Sequence, residues 1–214
     1  MSNVTQVINT IEMFGLCGSG KTTVQSDCNI EKIVNIHNPI SISAIYTYVF
    51  TIYIAIKMFV ISPVNLLRFL YDHQSRRLLL KLGLRVGGIF KRRNIYRCNE
   101  IFLRDSGVLM PFVSAIIEES WDWRKSYVLL FFAVLPVPKK AVFVYVKPSV
   151  AYARYIGRNK NKDVSQDFFY SANEFCQFLC TLLESRGVEM IKVDNNVAVK
   201  CSFLNNKLKA RQGY

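Results

Sequence analysis

Histidine is almost missing from this chain of 214 residues, where only His37 and His73 occur. Cys-x-x-Cys pairs are missing altogether. The six cysteines (Cys17, Cys28, Cys98, Cys176, Cys180 and Cys201) are scattered, and most stand far in sequence from either histidine, so the usual spacing of a structural zinc site is not there. An even cysteine count could suit a disulfide scaffold, but such scaffolds belong to short secreted chains with weak cores. Here 51% of residues are hydrophobic, enough for a large core, and a reduced cytoplasmic compartment is the expectation. The first fourteen residues carry no Lys or Arg ahead of an apolar run, so they are not expected to act as a secretory signal. Acidic residues are scarce as well: fifteen Asp and Glu face twenty-eight Lys and Arg, a net charge of +13. Disorder would require low hydrophobicity beside that charge and is excluded. The length suits one domain of about 100 to 200 residues.

Glycine is also sparse, at ten residues, yet three fall within six positions. Val7, Ile8, Ile11, Met13 and Phe14 make a short apolar stretch of the kind a buried parallel strand shows. It runs into Gly15-Leu16-Cys17-Gly18-Ser19-Gly20-Lys21-Thr22-Thr23, the Gly-x4-Gly-Lys-Thr pattern of a phosphate-binding loop. Glycines at 15, 18 and 20 let backbone N–H groups approach phosphate oxygens with no Cβ in the way. A helix starting near Lys21 would favour anions at its amino end. Lys21 can reach the β and γ phosphates, and the Thr22 hydroxyl can ligate Mg²⁺. Thr23 is expected to cap or pack. Cys17, beside a helix amino end, could be oxidisable, but the variable positions of such loops accept many residues and no redox role is assigned.

The helix from Lys21 is expected to run to about Asn29, with a second strand at Ile33 to Ile36 before Asn38-Pro39. Ile40 to Ile61 carries one charge, Lys57, and is long enough for a membrane span of roughly 20 apolar residues. A single crossing would separate the phosphate loop from everything beyond residue 62, and the other long apolar run, Tyr127 to Leu135, is too short to bring the chain back. Ser, Thr and Tyr within 40 to 61 suit a buried helix, so a core helix is expected, with a membrane-facing or partner-facing helix as the alternative. Helical patterning resumes after Pro63, crowded with Arg68, Arg76, Arg77, Lys81, Arg85, Lys91, Arg92, Arg93 and Arg97. A solvated face and a site for an anionic partner remain equal readings of that charge.

Ile101 to Leu103 reads as a short strand ending in Arg104-Asp105-Ser106-Gly107. Residues at the carboxyl end of a strand face the ligand crevice of an open α/β sheet, so Asp105 is a candidate for the metal shell or for accepting a proton from an attacking hydroxyl. A helix is expected over Val108 to Ser120, interrupted early by Pro111, and Trp121 and Trp123 are read as packing residues. Tyr127 to Leu135 makes another helix, Ala141 to Val146 a central strand, Val150 to Gly157 a helix, Phe168 to Arg186 a helix with Cys176 and Cys180 in the core, and Val188 to Val193 the last strand, ending at Asp194. Asn195 to Leu208 is expected to return as a terminal helix.

In the phosphate loop, in Asp105 after its strand, in Val142 to Arg158 with its Pro148 turn and Arg154, and in the closing Val188 to Asp194 strand, the chain resembles the P-loop nucleoside and nucleotide kinase superfamily, thymidylate kinases most of all. The lead-in Ile11-Glu12-Met13-Phe14-Gly15 is also similar to small kinase-like ATPases of bacterial surface-polysaccharide gene clusters. The resemblance implies one three-layer P-loop α/β domain over 1–214, with a central parallel sheet flanked by helices, an enlarged helical acceptor-side segment at 40–98, and a lid at about 154–165. It implies phosphoryl transfer from ATP with Mg²⁺, nucleotide held by Gly15, Gly18, Ser19, Gly20, Lys21, Thr22 and Thr23, metal held by Thr22 and Asp105, and catalysis by Lys21, Asp105, Arg154 and Arg158. Thymidylate kinases carry Asp-Arg after the third strand, whereas Ser106 and Gly107 follow Asp105 here. The acceptor therefore stays open among a nucleotide, a nucleoside and a sugar. A P-loop NTPase acting as a switch or assembly factor is the other reading. Peripheral contact of the basic middle with a membrane or other anionic surface, and a homodimer, are compatible with the pattern. Nucleic acid is not expected, because no RNA-binding motif is present.

Overall fold

The computed structural model describes residues 7–27, 44–96, 101–103, 107–159 and 164–196. Among these, four strands form one parallel sheet: β1 (Val7–Phe14), β2 (Ile101–Leu103), β3 (Val137–Tyr145) and β4 (Glu189–Asp194), in the order β2-β1-β3-β4. Parallel neighbours need long crossovers, which helices supply. Between β1 and β2 lie α1 (Lys21–Asp27), α2 (Ala44–Ile61), α3 (Pro63–Tyr71) and α4 (His73–Tyr96); α5 (Met110–Glu119) and α6 (Ser126–Val134) precede β3, and α7 (Pro148–Arg158) and α8 (Gln166–Ser185) precede β4. This is an α/β P-loop architecture with helices flanking the sheet.

The expected strand at 141 to 146 begins earlier, at Val137, because Pro138 occupies the strand's first turns of pairing opposite Ile8, where a missing N–H is tolerated. Its later residues Ala141, Val142 and Val144 are fully buried, as a strand paired on both edges and covered on both faces requires. Pro111 does not interrupt a helix starting at Val108: α5 begins at Met110, so the proline lies in the first turn, where no backbone donor is needed.

Helix α8 buries Phe169, Ala172, Phe175, Cys176, Leu179, Cys180 and Leu183 along one face. Against it stands an aromatic cluster centred on Phe112, with ring centroids 4.6 Å from Phe132, 6.0 Å from Trp121 and 6.2 Å from Phe175. Trp121 and Trp123 are buried packing residues, as expected, and the Trp121 indole N–H donates to Ser75 Oγ at 3.3 Å. Arg186, just past α8, donates to the carbonyls of Phe132 (3.0 Å) and Leu135 (2.7 Å), closing the carboxyl end of α6 with a cation. Half-burial lowers its pKa.

The helix expected inside the core at 40 to 61 is only half inside. Thr47, Phe50, Ile54 and Met58 of α2 are buried, whereas Tyr48, Val49, Ile52, Ile56, Phe59 and Val60 are exposed. Its described neighbours α3, α4 and α6 cover one side only. At the closest approach, a Cβ on Gly83 of α4 would lie 2.9 Å from Thr47 Cγ2, so the absence of a side chain there lets the two helices meet. No helix among the described residues is long and apolar enough to cross a membrane. Asn195 and Asn196 form a turn rather than the start of a helix, since Asn196 N–H and side chain both bond Asp194 Oδ1. The rest of that segment, the strand expected at Ile33 to Ile36 and residues 160–163 of the expected lid lie outside the described residues.

Phe112 touches four aromatic neighbours, Phe131 and Phe132 of α6, Phe175 of α8 and Trp121 of the loop between α5 and α6. Phe112→Ala should cost about 3 to 5 kcal/mol of unfolding free energy, read from the urea midpoint, with the secondary structure retained.

Candidate nucleotide-binding site

Strand β1 ends at Phe14, and residues 15–20 turn into α1 at Lys21. Two glycines make this turn possible. Gly18 (φ +86°) and Gly20 (φ +83°) adopt left-handed backbone, and a Cβ would fall 2.5 Å from Ala151 O at Gly18 and 2.2 Å from Asn195 Nδ2 at Gly20. The loop is therefore seated tightly on α7 and on the residue after β4.

Lys21 is buried and bends its ammonium back over the loop, donating to the carbonyls of Gly15 (3.2 Å) and Leu16 (3.0 Å). The Ser19 N–H bonds Leu16 O at 3.0 Å, while the Ser19 hydroxyl is buried with no hydrogen-bond partner. An unsatisfied hydroxyl inside a glycine-rich turn, beside a buried ammonium, fits an anionic ligand that would complete both. Thr22 and Thr23 are exposed at the start of α1.

Two side chains from the carboxyl-terminal half hold the loop's outer side. Asn195 Nδ2 donates to Ser19 O at 2.7 Å, and Arg154 Nη1 of α7 donates to Gly18 O at 3.3 Å. Arg154 is exposed and adjacent to the loop; Arg158, in the last turn of α7, is exposed, with no contact to the loop among those the structure gives. Asp105 belongs to residues 104–106, outside the described residues. The strand that leads to it is in place: Leu103 of β2 pairs with Glu12 of β1, so β2 ends at the same edge of the sheet as the loop.

Sequence reasoning passed over Glu12, whose carboxylate is buried in β1, three residues before Gly15. Its Oε2 accepts the Leu109 N–H at 3.1 Å, and Oε1 has no hydrogen-bond partner. A Cβ on Gly107 would lie 2.4 Å from Oε2, so a side chain there would require the Glu12 carboxyl to move. Arg85 of α4 reaches the same segment, donating to Gly107 O at 3.3 Å. Burial pushes the Glu12 pKa up to about 7, against the opposing pull of the Val108 and Leu109 N–H groups and of Arg85. A lone acid in an apolar strand was the available signal. Asn195 was also missed, although its place just past a parallel strand is where ligand crevices form.

The Cys176 thiol is fully buried, and desolvation raises its pKa far above the ordinary thiol range. Cys180 is pushed up to about 11 for the same reason. Both behave as core residues, as expected from their spacing. Among the described residues, no group of three His, Cys, Asp or Glu could hold a metal ion.

No protein-family model and no curated protein matches the sequence. Solved structures do match the shape. Deoxyadenosine kinase from M. mycoides, with the products dCMP and a flexible dCDP bound, superposes with a TM-score of 0.55 at 12% identity, over 94% of this chain and 99% of that one. With dATP bound, that enzyme gives 0.53 at 14% identity over the same shares. The fold is that of the P-loop nucleoside kinases. At this identity the likeness speaks for the fold alone, and in this chain that fold puts the loop, α7 and Asn195 together at one sheet edge.

The Glu12 carboxyl gains a proton more readily when folded than when unfolded, since its pKa rises from 4.5 to about 7. Its contribution is therefore fully present below about pH 4.5 and is lost as pH rises to about 7, a loss of about 3 kcal/mol. Glu12→Gln, which keeps the shape and carries no charge, should be more stable than the parent at pH 8 by that order and nearly equal to it at pH 4.5. Urea unfolding of both proteins across this range checks it; parallel curves would show that Glu12 does not titrate in the window.

Proposed function

We propose that this protein is an ATP-dependent phosphotransferase that phosphorylates a nucleoside or nucleotide. The observation that carries the proposal is the phosphate loop itself: Lys21 folded over glycine backbone, with the buried Ser19 hydroxyl lacking a partner and Arg154 standing at the rim. The deoxyadenosine kinase fold supports a nucleoside or nucleotide acceptor over a sugar. The finer resemblance to thymidylate kinases and to polysaccharide-cluster ATPases rests on the sequence segments alone.

In this reading the loop's N–H groups cradle the β and γ phosphates, and Lys21 exchanges its two carbonyl partners for phosphate oxygens. That exchange costs little, because the ammonium keeps an oxygen shell throughout. Mg²⁺, when bound, would neutralise charge between the phosphates, with the Thr22 hydroxyl and the Asp105 carboxylate as the groups to hold it. Asp105 alternatively takes the acceptor hydroxyl proton. Arg154, which donates to Gly18 O in the loop, would exchange that carbonyl for the transferring phosphoryl group. Arg158, four residues on, would follow it in a closing segment at about 154–165.

Lys21→Ala should leave the fold intact and lower ATP turnover by at least about 100-fold. Wild-type turnover should rise when deoxyadenosine, deoxycytidine, thymidine or a deoxynucleoside monophosphate is added. A rate indifferent to every acceptor, yet lost in Lys21→Ala, would identify an NTPase that transfers phosphate only to water. Arg154→Ala should depress acceptor-dependent transfer by roughly 10- to 100-fold while changing nucleotide affinity much less. A loss confined to affinity would leave Arg154 as a brace for the loop.

A further inference from the structure

Helices α2 and α3 turn an unusual surface outward. On α2, Tyr48, Val49, Ile52, Ile56, Phe59 and Val60 recur at helical spacing and are exposed, Val60 by 76%. On α3, Val64, Leu67 and Tyr71 continue the pattern, with Tyr71 exposed by 91%. Isolated apolar residues on a surface are ordinary; a contiguous set along two successive helices is an interaction face. The opposite face of α2, through Phe50, Ile54 and Met58, is committed to the core. This helix therefore cannot be surrounded by lipid on all sides, but it can lie on an interface.

Charge decides what covers the face. From 44 to 86 the chain has six Lys and Arg and a single acid, Asp72; Lys81 pairs with Glu119 and Arg85 turns inward to Gly107 O, which leaves Lys57, Arg68, Arg76 and Arg77 for this side of the molecule. Arg68 is exposed within the apolar face of α3, and Arg76 and Arg77 are exposed on α4, which shows Leu80 and Leu84 on that same side. Lys57 rises from α2 over the Tyr53 ring, 4.7 Å from its centroid. Apolar side chains interleaved with long cationic ones match the boundary between acyl chains and anionic head groups, where the stems bury and the charges stay in water. A second copy docked by two-fold symmetry would instead bring the same cations face to face.

We propose that the outer face of α2 and α3, with the exposed arginines of α3 and α4, docks the protein on an anionic lipid surface. The docking is peripheral, and it is independent of the proposed phosphotransfer.

The test uses the full chain and flotation with phosphatidylcholine vesicles, either alone or with about 30% phosphatidylglycerol. The protein should float with the anionic vesicles at least roughly ten-fold more than with the neutral ones, and less in about 0.5 M salt. Ile56→Glu/Val60→Glu should abolish flotation, and Arg76→Glu/Arg77→Glu should weaken it several-fold. All four side chains are exposed, so circular dichroism and thermal midpoints should match the parent; the arginine pair also tests the idea if the first variant misfolds. No flotation with the anionic vesicles, or flotation that neither variant changes, would overturn the proposal. So would a concentration-dependent dimer, seen by sedimentation, that Ile56→Glu/Val60→Glu dissolves while the parent ignores vesicles, since the face would then belong to a second copy.

Discussion

The parallel register between β1 and β3 is the constraint on which the rest depends. Met13 faces Val142 and Phe14 faces Phe143 across the pair, and the two phenylalanine rings stack 5.2 Å apart. A slip of one residue would turn each side chain to the opposite face of the sheet. With this register fixed, the chain leaves β1 beside the end of β3, and the segments after β1, β3 and β4 emerge along one edge. The phosphate loop, the Pro148 turn into α7 and Asn195 come from three distant parts of the sequence, and the sheet alone brings them together.

Arg186 and Glu12, two of the ionisable groups withdrawn from water, fare differently. Arg186 is half-buried, and two carbonyls at the end of α6 receive its charge. Glu12 is fully buried and holds one oxygen on backbone N–H groups while the other has no hydrogen bond. A guanidinium keeps its charge because its pKa is so high that partial desolvation leaves it protonated. A carboxyl has no such margin and gains a proton near neutrality instead. The link between β1 and the segment at 107–109 thus contains a group that changes charge where most acids are fixed.

The fold was largely legible because its signals are local. A glycine pattern between an apolar strand and a helix has few other meanings, and the continuous run Ala141 to Val146 can hardly be anything but a covered strand. Proline was read less well. Pro111 suggests an interruption of a helix from Val108, whereas it sits in the first turn of α5, where an N–H is not needed, a distinction that depends on where the helix begins. The burial of α2 was also overestimated: composition shows that a helix is apolar, and only the packing of its neighbours shows how many sides are covered. In the candidate site, the glycine loop stands out by pattern, and the structure sets Arg154 against its Gly18 carbonyl. Glu12 and Asn195 belong to no such pattern, and their roles show only through the partners the fold brings to them, Leu109 N–H for Glu12 and Ser19 O for Asn195.

Those long separations bear on how the protein is made. The residues of the glycine loop leave the ribosome well before the side chains that clasp its outer side, Arg154 and Asn195. A nascent chain that stops before β4 has the complete loop sequence and none of the clasp from Asn195. Loop closure over such a span must be completed before these contacts yield any stability. The clasped form of the loop therefore arises only once α7 and the residue after β4 have been made, as a property of the finished sheet, even though the loop's own sequence precedes both.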